Sequence, residues 1–340
     1  MTVTSTIPLR DDQLERLDAA ENALLAPVRG EDARRALSRE YFVKKPGRFV
    51  TKFVFAFALI VAGWVAVALV QHWAVTVAAV LVLGLMYAHL VELQHECLHE
   101  HAFQRRIWNR ICGVLCGLFM LSSFWHYKHD HLRHHAFLGT PQNQEFFNYR
   151  FRNLDRWYGL GFALAALHPG RYWTTLRDIV RSCLGRPIPG IDRARDLRRI
   201  QYEYRLMAVL LVAAVVATVV TGSPYLLLVW LLPAMLVAEP AHYLIEMPEH
   251  FGLNTQSDDN VLTNTRTIRA SKFAQWYTNY NNLHTAHHYH QGVPMAQAPS
   301  LHALIEPRVV PVESSYWHFY RLVITGRITS VRADETCMTR

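Results

Sequence analysis

Two stretches of this chain contain no Asp, Glu, Lys or Arg: Phe53–Val91, 39 residues, and Leu206–Ala238, 33 residues. As single helices they would be about 58 and 50 Å long at 1.5 Å per residue, whereas a hydrocarbon core is about 30 Å thick. Each run therefore reads as two membrane spans joined by a turn. The breaks are Gln71-His72 in the first run and Thr221-Gly222-Ser223-Pro224 in the second, the latter built of turn formers. A soluble core can enclose one such helix, but two double-length runs call for a bilayer. The pattern predicts an all-α integral membrane protein with four transmembrane helices, about 53–70, 73–93, 206–221 and 225–241, in two hairpins.

Charge sets the expected orientation. The chain carries 35 Lys+Arg against 27 Asp+Glu, a net +8. Residues 1–52 hold 10 of the basic residues, 92–205 hold 17 and 239–340 hold 8, so the two turns hold none. By the positive-inside rule both termini and the long middle segment face the cytoplasm. The basic balance is then a topology signal, and no basic stripe interleaved with aromatics marks a nucleic-acid interface. Met1–Pro8 lacks the charged opening of a secretory leader.

The expected domains are cytoplasmic amphipathic helices over 1–48, a membrane domain over 49–310 and a cytoplasmic tail over 311–340. Within the first, the amphipathic patterns lie around Leu14–Leu25 and Asp32–Tyr41. Ile111–Trp125 and residues 157–168 are apolar but too short to cross, and read as interfacial helices, with Trp157, Tyr158 and Trp173 at headgroup level. Five cysteines without a CxxC indicate neither a disulfide framework nor a zinc ribbon. Cys112 and Cys116 read as core packing.

Histidine is the residue in excess, 19 of 340, and it is clustered. His95-Glu96-Cys97-Leu98-His99 ends the second expected span, and His95 and His99, four apart on a helix, share a face. His131-Leu132-Arg133-His134-His135 and His284-Thr285-Ala286-His287-His288 both spell H-x-x-H-H. At this chain's own histidine frequency about 0.06 copies of that pattern arise by chance. Three imidazoles at i, i+3 and i+4 offer three nitrogen ligands from one helix face. A set of merely solvated histidines would gain nothing from this arrangement.

Two other chemistries fit part of the pattern. His95-Glu96-x-x-His99 matches the H-E-x-x-H of zinc proteases, with Glu96 as base. A catalytic zinc uses three protein ligands and a water, which leaves both H-x-x-H-H boxes unused. A histidine-rich metal transporter should carry its ligands inside the spans, yet only His72 and His89 fall in the apolar runs.

The three boxes, in this order and after successive apolar pairs, resemble the integral-membrane fatty acid desaturase superfamily, which includes hydroxylases of alkyl, acyl and isoprenoid chains. The resemblance covers about residues 50–310 and extends to Gly139-Thr140-Pro141, Glu145-Phe146-Phe147, Glu249-His250-Phe251-Gly252-Leu253 and Asn264-Thr265-Arg266-Thr267. It implies a cytoplasmic helical cap holding two irons by His95, His99, His131, His134, His135, His284, His287 and His288. One further ligand follows the fourth span: His250, with His242 as the competing candidate. The family's bacterial members commonly have Glu where this chain has Ala286, and Pro where it has Gln291.

Carboxylates beside the boxes, Glu96, Asp130, Glu246 and Glu249, are candidates to orient imidazoles. His101, His126, His129, His290, His302 and His318 read as outer or surface groups, and His168-Pro169-Gly170-Arg171 as a loop. Breaking an unactivated methylene C–H bond calls for a redox metal and O2, and zinc has no redox chemistry. The expected activity is O2-dependent desaturation of an acyl chain or lipid, with hydroxylation at the same centre as the alternative. No Fe–S cysteine set or nucleotide motif is visible, so electrons would come from a separate protein of the ferredoxin or cytochrome b5 type.

Overall fold

In the computed structural model, which describes residues 9–25, 37–147 and 165–329, the charge-free runs become long helices. The elements in chain order begin with α1 (Asp11–Leu25), α2 (Pro46–Val70), α3 (Trp73–Leu98), α4 (Arg106–Gly117) and α5 (Phe124–Phe137). Then come α6 (Pro169–Cys183), α7 (Ala194–Thr221) and α8 (Leu227–His250). Short helices follow: α9 (Val261–Asn264), α10 (Lys272–Tyr277), α11 (His284–Tyr289), α12 (Ala298–Ile305) and α13 (Tyr316–Ile324). A two-residue parallel pair, β1 (Thr267–Ile268) with β2 (Val312–Glu313), departs from the all-α expectation.

Among the described residues four helices are long and apolar enough to cross a membrane, and they are α2, α3, α7 and α8. Their breaks fall at the expected turns. Gln71 ends α2 with φ 47°, the His72 side chain accepts from the Ala74 N–H to start α3, and Gly222 ends α7 with φ 62°. The helices overrun the charge-free segments, however. At 24 to 28 residues the last three are about 36–42 Å long, more than a hydrocarbon core needs. The extra turns carry Glu92, His95, Glu203 and His250, all at one end of the bundle.

Helix α8 packs on α3 so closely that Gly84 is required. A Cβ there would lie 2.3 Å from Val237 Cβ and 2.8 Å from the Pro233 carbonyl oxygen. Two π-helical turns, Leu227–Leu231 and Ala234–Ala238, interrupt α8 at this contact. The Val229 carbonyl accepts from Tyr87 Oη and Trp64 Nε1, which ties α8 to both α2 and α3.

The expected single helix over Ile111–Trp125 is instead a corner. Helices α4 and α5 meet at 99° around Leu118–Ser123, where Leu121 has φ 52°. The Gln94 amide, buried in α3, fills that corner, bonding the Gly113 and Ser122 carbonyls and the Ser122 hydroxyl. The Glu203 carboxylate of α7 then caps α5, accepting from the Phe124 and Trp125 N–H groups and from Ser123 Oγ. A carboxylate at a helix N-terminus is favourably placed, and this one fixes the start of the helix that carries the second box.

One further expectation changes. His168-Pro169-Gly170-Arg171 is not a loop: it opens α6, and Arg171 is buried against Glu239 of α8 at 2.9 Å while donating to the Met120 carbonyl. In the stretch expected as a tail, α13 buries Phe319 against Phe251 and Tyr320 bonds the Leu244 carbonyl. Over Asp32–Tyr41 only a 3-10 turn, Arg39–Phe42, is described, and 32–36 lie outside the described residues, as do Trp157 and Tyr158. Helix α1 does pack on the domain, with buried Leu17 against Leu132 and Phe137.

The α3–α8 contact gives a direct test. Helix propensity alone favours Ala over Gly by about 1 kcal/mol, but the close approach reverses the sign at position 84. Gly84→Ala should lower stability by about 1–3 kcal/mol through overpacking. Thermal unfolding in detergent checks it, and an unchanged or raised Tm would show that the helices are not this close.

Candidate metal centre

The histidine boxes occupy helix ends that converge. His95 lies in the last turn of α3, His99 caps that helix, His250 ends α8, the second box lies in α5 and the third forms most of α11. Helix geometry then divides each H-x-x-H-H. Residue i+4 lies about 40° from i, and i+3 about 60° away on the other side.

Accordingly His131 and His135 point one way and His134 the other, and in the third box His284 and His288 separate from His287. His95, His99, His131 and His287 form one group in which one ring nitrogen from each lies within 4.8 Å of the others. His135 joins it, its Nε2 standing 3.1 Å from His131 and 2.9 Å from His287. His134, His250, His284 and His288 form the other. Each H-x-x-H-H box thus contributes to both groups, and the rings of His135 and His288 stack at 4.2 Å where the groups meet.

These contacts are not a hydrogen-bond network. His131 Nε2 lies 2.8 Å from His95 Nε2, 3.0 Å from His99 Nε2 and 3.1 Å from His135 Nε2. A ring nitrogen carries either one proton or one lone pair, so it cannot serve three such partners. In the second group successive Nε2 atoms, His134, His250, His284, His288 and back, are 3.2, 3.1, 2.9 and 3.2 Å apart. The centre of a square of that side is about 2.2 Å from each corner, close to a metal–imidazole bond length. The donors present fit a metal ion in each group.

Four of the δ nitrogens face outward to acceptors, whereas those of His99 and His287 are buried without one. His131 Nδ1 donates to Glu145 Oε1 (3.1 Å), His134 Nδ1 to Asn143 Oδ1 (2.8 Å), His250 Nδ1 to the Asn264 carbonyl (3.1 Å) and His284 Nδ1 to Asn281 Oδ1 (3.1 Å). A proton held on Nδ1 leaves the Nε2 lone pair free to ligate.

Of the four carboxylates expected to orient imidazoles, only Glu249 contacts a ring of either group. It lies 3.3 Å from the inward Nε2 of His284 and accepts from Nδ2 of Asn281, whose Oδ1 meets the outward Nδ1 of that ring. Glu96 accepts from Asn279, Asp130 pairs with His126 and His129, and Glu246 pairs with His242 at 3.1 Å. His242 belongs to neither histidine group. Asn143, Asn281 and Glu145 were not among the expected site residues, because short polar side chains in loops carry no spacing signal. Ala286 faces an apolar cluster with Leu283, Val293 and Leu301, so a carboxylate in its place would be buried among hydrocarbon.

The turn before the third box is anchored from the spans. Asn279 and Tyr280 hold left-handed φ values of 51° and 69°. Buried Lys52 of α2 donates to Asn279 Oδ1 (2.8 Å) and the Trp276 carbonyl (2.6 Å), while Asn279 Nδ2 donates to Glu96 Oε2 (2.7 Å). One amide thus joins α2, α3 and the approach to α11.

A family model for fatty acid desaturases matches residues 71–320. The chain belongs to the fatty acid desaturase family. A probable fatty acid desaturase DES1 of Sorghum bicolor is 30% identical over 135 residues, which cover 40% of this chain and 35% of that protein. The chain therefore matches about a third of the length of this curated relative.

In this desaturase-family protein the site's electrostatics favour neutral imidazoles. Burial pushes His99, His135, His284, His287 and His288 well below the usual histidine value, and crowding by neighbouring imidazoles adds to it. Burial raises the Glu145 carboxyl, but His134 and His131 more than reverse this and leave it below the carboxylate range.

The sign for metal-free protein follows. Below about pH 6.5 the unfolded chain binds protons that these buried rings refuse, so folding weakens as pH falls through that value. Above it both states are neutral and the dependence vanishes. The Tm of chelator-treated protein should be flat between pH 8 and 7 and drop steeply from 6.5 to 5; a flat profile throughout would refute the burial of these rings.

Proposed function

We propose that this protein is a membrane-bound non-haem di-iron oxygenase that introduces a double bond into a fatty acyl chain or lipid. The observation that carries the reading is the convergence of nine imidazoles into two groups whose inward nitrogens are spaced to hold a cation each. His95, His99, His131, His135 and His287 would hold one ion, and His134, His250, His284 and His288 the other. Family membership supports an acyl substrate and a membrane setting.

Imidazole suits iron among the redox metals. Bound there, two irons would supply the O2-dependent oxidation that an unactivated C–H bond requires. The chain's own contribution is position. His95 and His250 end helices long enough to cross the bilayer, so an acyl chain approaching from the membrane side meets the centre at its inner edge. Each methylene it buries contributes about 0.8 kcal/mol to binding. The acceptors on the δ nitrogens of His131, His134, His250 and His284 favour the tautomer whose ε nitrogen is free to ligate, and burial keeps bulk water out.

The even exclusion of Lys and Arg from both turns supports a cytoplasmic centre and cytoplasmic termini. Electrons would come from a separate carrier of the ferredoxin or cytochrome b5 type. Hydroxylation is the other outcome the same oxidant allows, and product mass separates the two.

Lipids from cells expressing the protein should include species lighter by two hydrogens than those of control cells; gain of one oxygen would instead assign a hydroxylase. Purified protein should contain about two irons per chain, and His131→Ala or His287→Ala should abolish the product. His250→Ala should lower iron content more than His242→Ala. Iron-free wild-type protein with unchanged product in the alanine variants would sink the reading.

A further inference from the structure

Glu145 touches both histidine groups at once. Its Oε1 lies 3.1 Å from Nδ1 of His131, in the five-histidine group, and its Oε2 lies 3.3 Å from Nδ1 of His134, in the four-histidine group. Its position is built from several sides. Phe147 is buried, and Phe146 and Phe147 pack on Tyr127 at 5.3 and 5.2 Å between ring centres. Upstream, Gly139 has φ 84° and a Cβ there would stand 2.2 Å from the Asp258 carbonyl oxygen, so the loop is pressed against residues 255–259. The Gly139 N–H and Asn143 Nδ2 both bond the Thr255 carbonyl.

We propose that Glu145 is the positioning residue shared by the two metal sites, its two oxygens setting the orientation of one ligand in each. This rests on the di-metal reading above. A carboxylate suits the task because it only accepts, and each oxygen can take one imidazole N–H. An amide of the same shape offers one acceptor and one donor, and so can serve only one of the two rings. Asn143 already accepts from His134 at 2.8 Å, so the oxygen of a glutamine would turn to His131 and its NH2 toward His134 and Asn143. The substitution then disturbs one site, not both.

Loss of a partner that orients a metal ligand costs about 10–100-fold in affinity. Titration of metal-free, detergent-solubilised full-length protein with Co2+, followed by the visible d–d bands and by metal analysis, reads the two sites without turnover. Wild-type protein should take up two Co2+ per chain. Glu145→Gln should weaken one step by about 10–100-fold and leave the other within about threefold. Combined with His250→Ala, which removes the four-histidine site, Glu145→Gln should leave the remaining step unchanged.

Glu145→Ala should weaken both steps, because His131 loses its acceptor and His134 is left with Asn143 alone. Two unaltered steps in Glu145→Gln, or equal weakening of both by Gln, would overturn the proposal. A wild-type protein that binds no Co2+, or only one, would overturn the di-metal reading instead. Glu145→Gln is isosteric and should keep the wild-type Tm in the metal-free state, which separates positioning from folding.

Discussion

The constraint on which this structure turns is the mutual approach of nine imidazoles, whose inward nitrogens stand about 3 Å from their neighbours. Lone pairs brought to about 3 Å repel, and burial removes the water that would screen them. Something rigid must hold them there before any cation does. The protein supplies it by placing the rings on helix ends, where backbone hydrogen bonding fixes the chain, and by pinning those ends from outside. Glu203 caps α5, Gln94 locks the corner that aims it, and Lys52 with Asn279 holds the turn into α11. Each anchor crosses between elements distant in sequence, so the three boxes register against one another.

Length explains how a membrane bundle carries a buried polar site. Helices α3 and α8 are longer than a hydrocarbon core requires, and His95 and His250 lie in their last turns. The same two helices are pressed together at Gly84 and bridged by the Val229 carbonyl. The π turns of α8 at that point change which side chains face α3, and Glu239, one turn on, meets Arg171 of α6 in a buried ion pair. Breaking such a pair from one side is strongly destabilising, which makes the α6–α8 junction a second fixed point behind the site.

Much of this was legible in the residues, and the rest was hidden for definite reasons. Charge-free runs longer than a bilayer declare themselves, and H-x-x-H-H is rare enough to stand out. The 100° step per residue also explains why His134 parts from His131 and His135, although the sequence alone does not say that a second group waits on the other side. The corner at Leu118–Ser123 was hidden because apolar composition continues through it, and only Leu121 in a left-handed conformation breaks the helix. Arg171 and Glu239 are 68 residues apart, and nothing local marks them as partners. Of the helix over 157–168 that apolarity suggested, residues 157–164 lie outside the described residues.

The ligand shell has one further consequence. Nine neutral imidazoles bring no charge to whatever cations they hold, so compensation falls to the next layer out. There the chain has concentrated carboxylates in a largely apolar interior: Glu145 against His131 and His134, Glu249 against His284, and Glu246 beside His242. Without a cation these acids would oppose one another at a cost that a hydrocarbon-lined site would not incur. With one, the acids would balance the charge, and Glu145 would also orient a ring in each group. Substitutions in this layer should therefore act first on metal affinity and only then on the fold, the reverse of what burial alone would suggest.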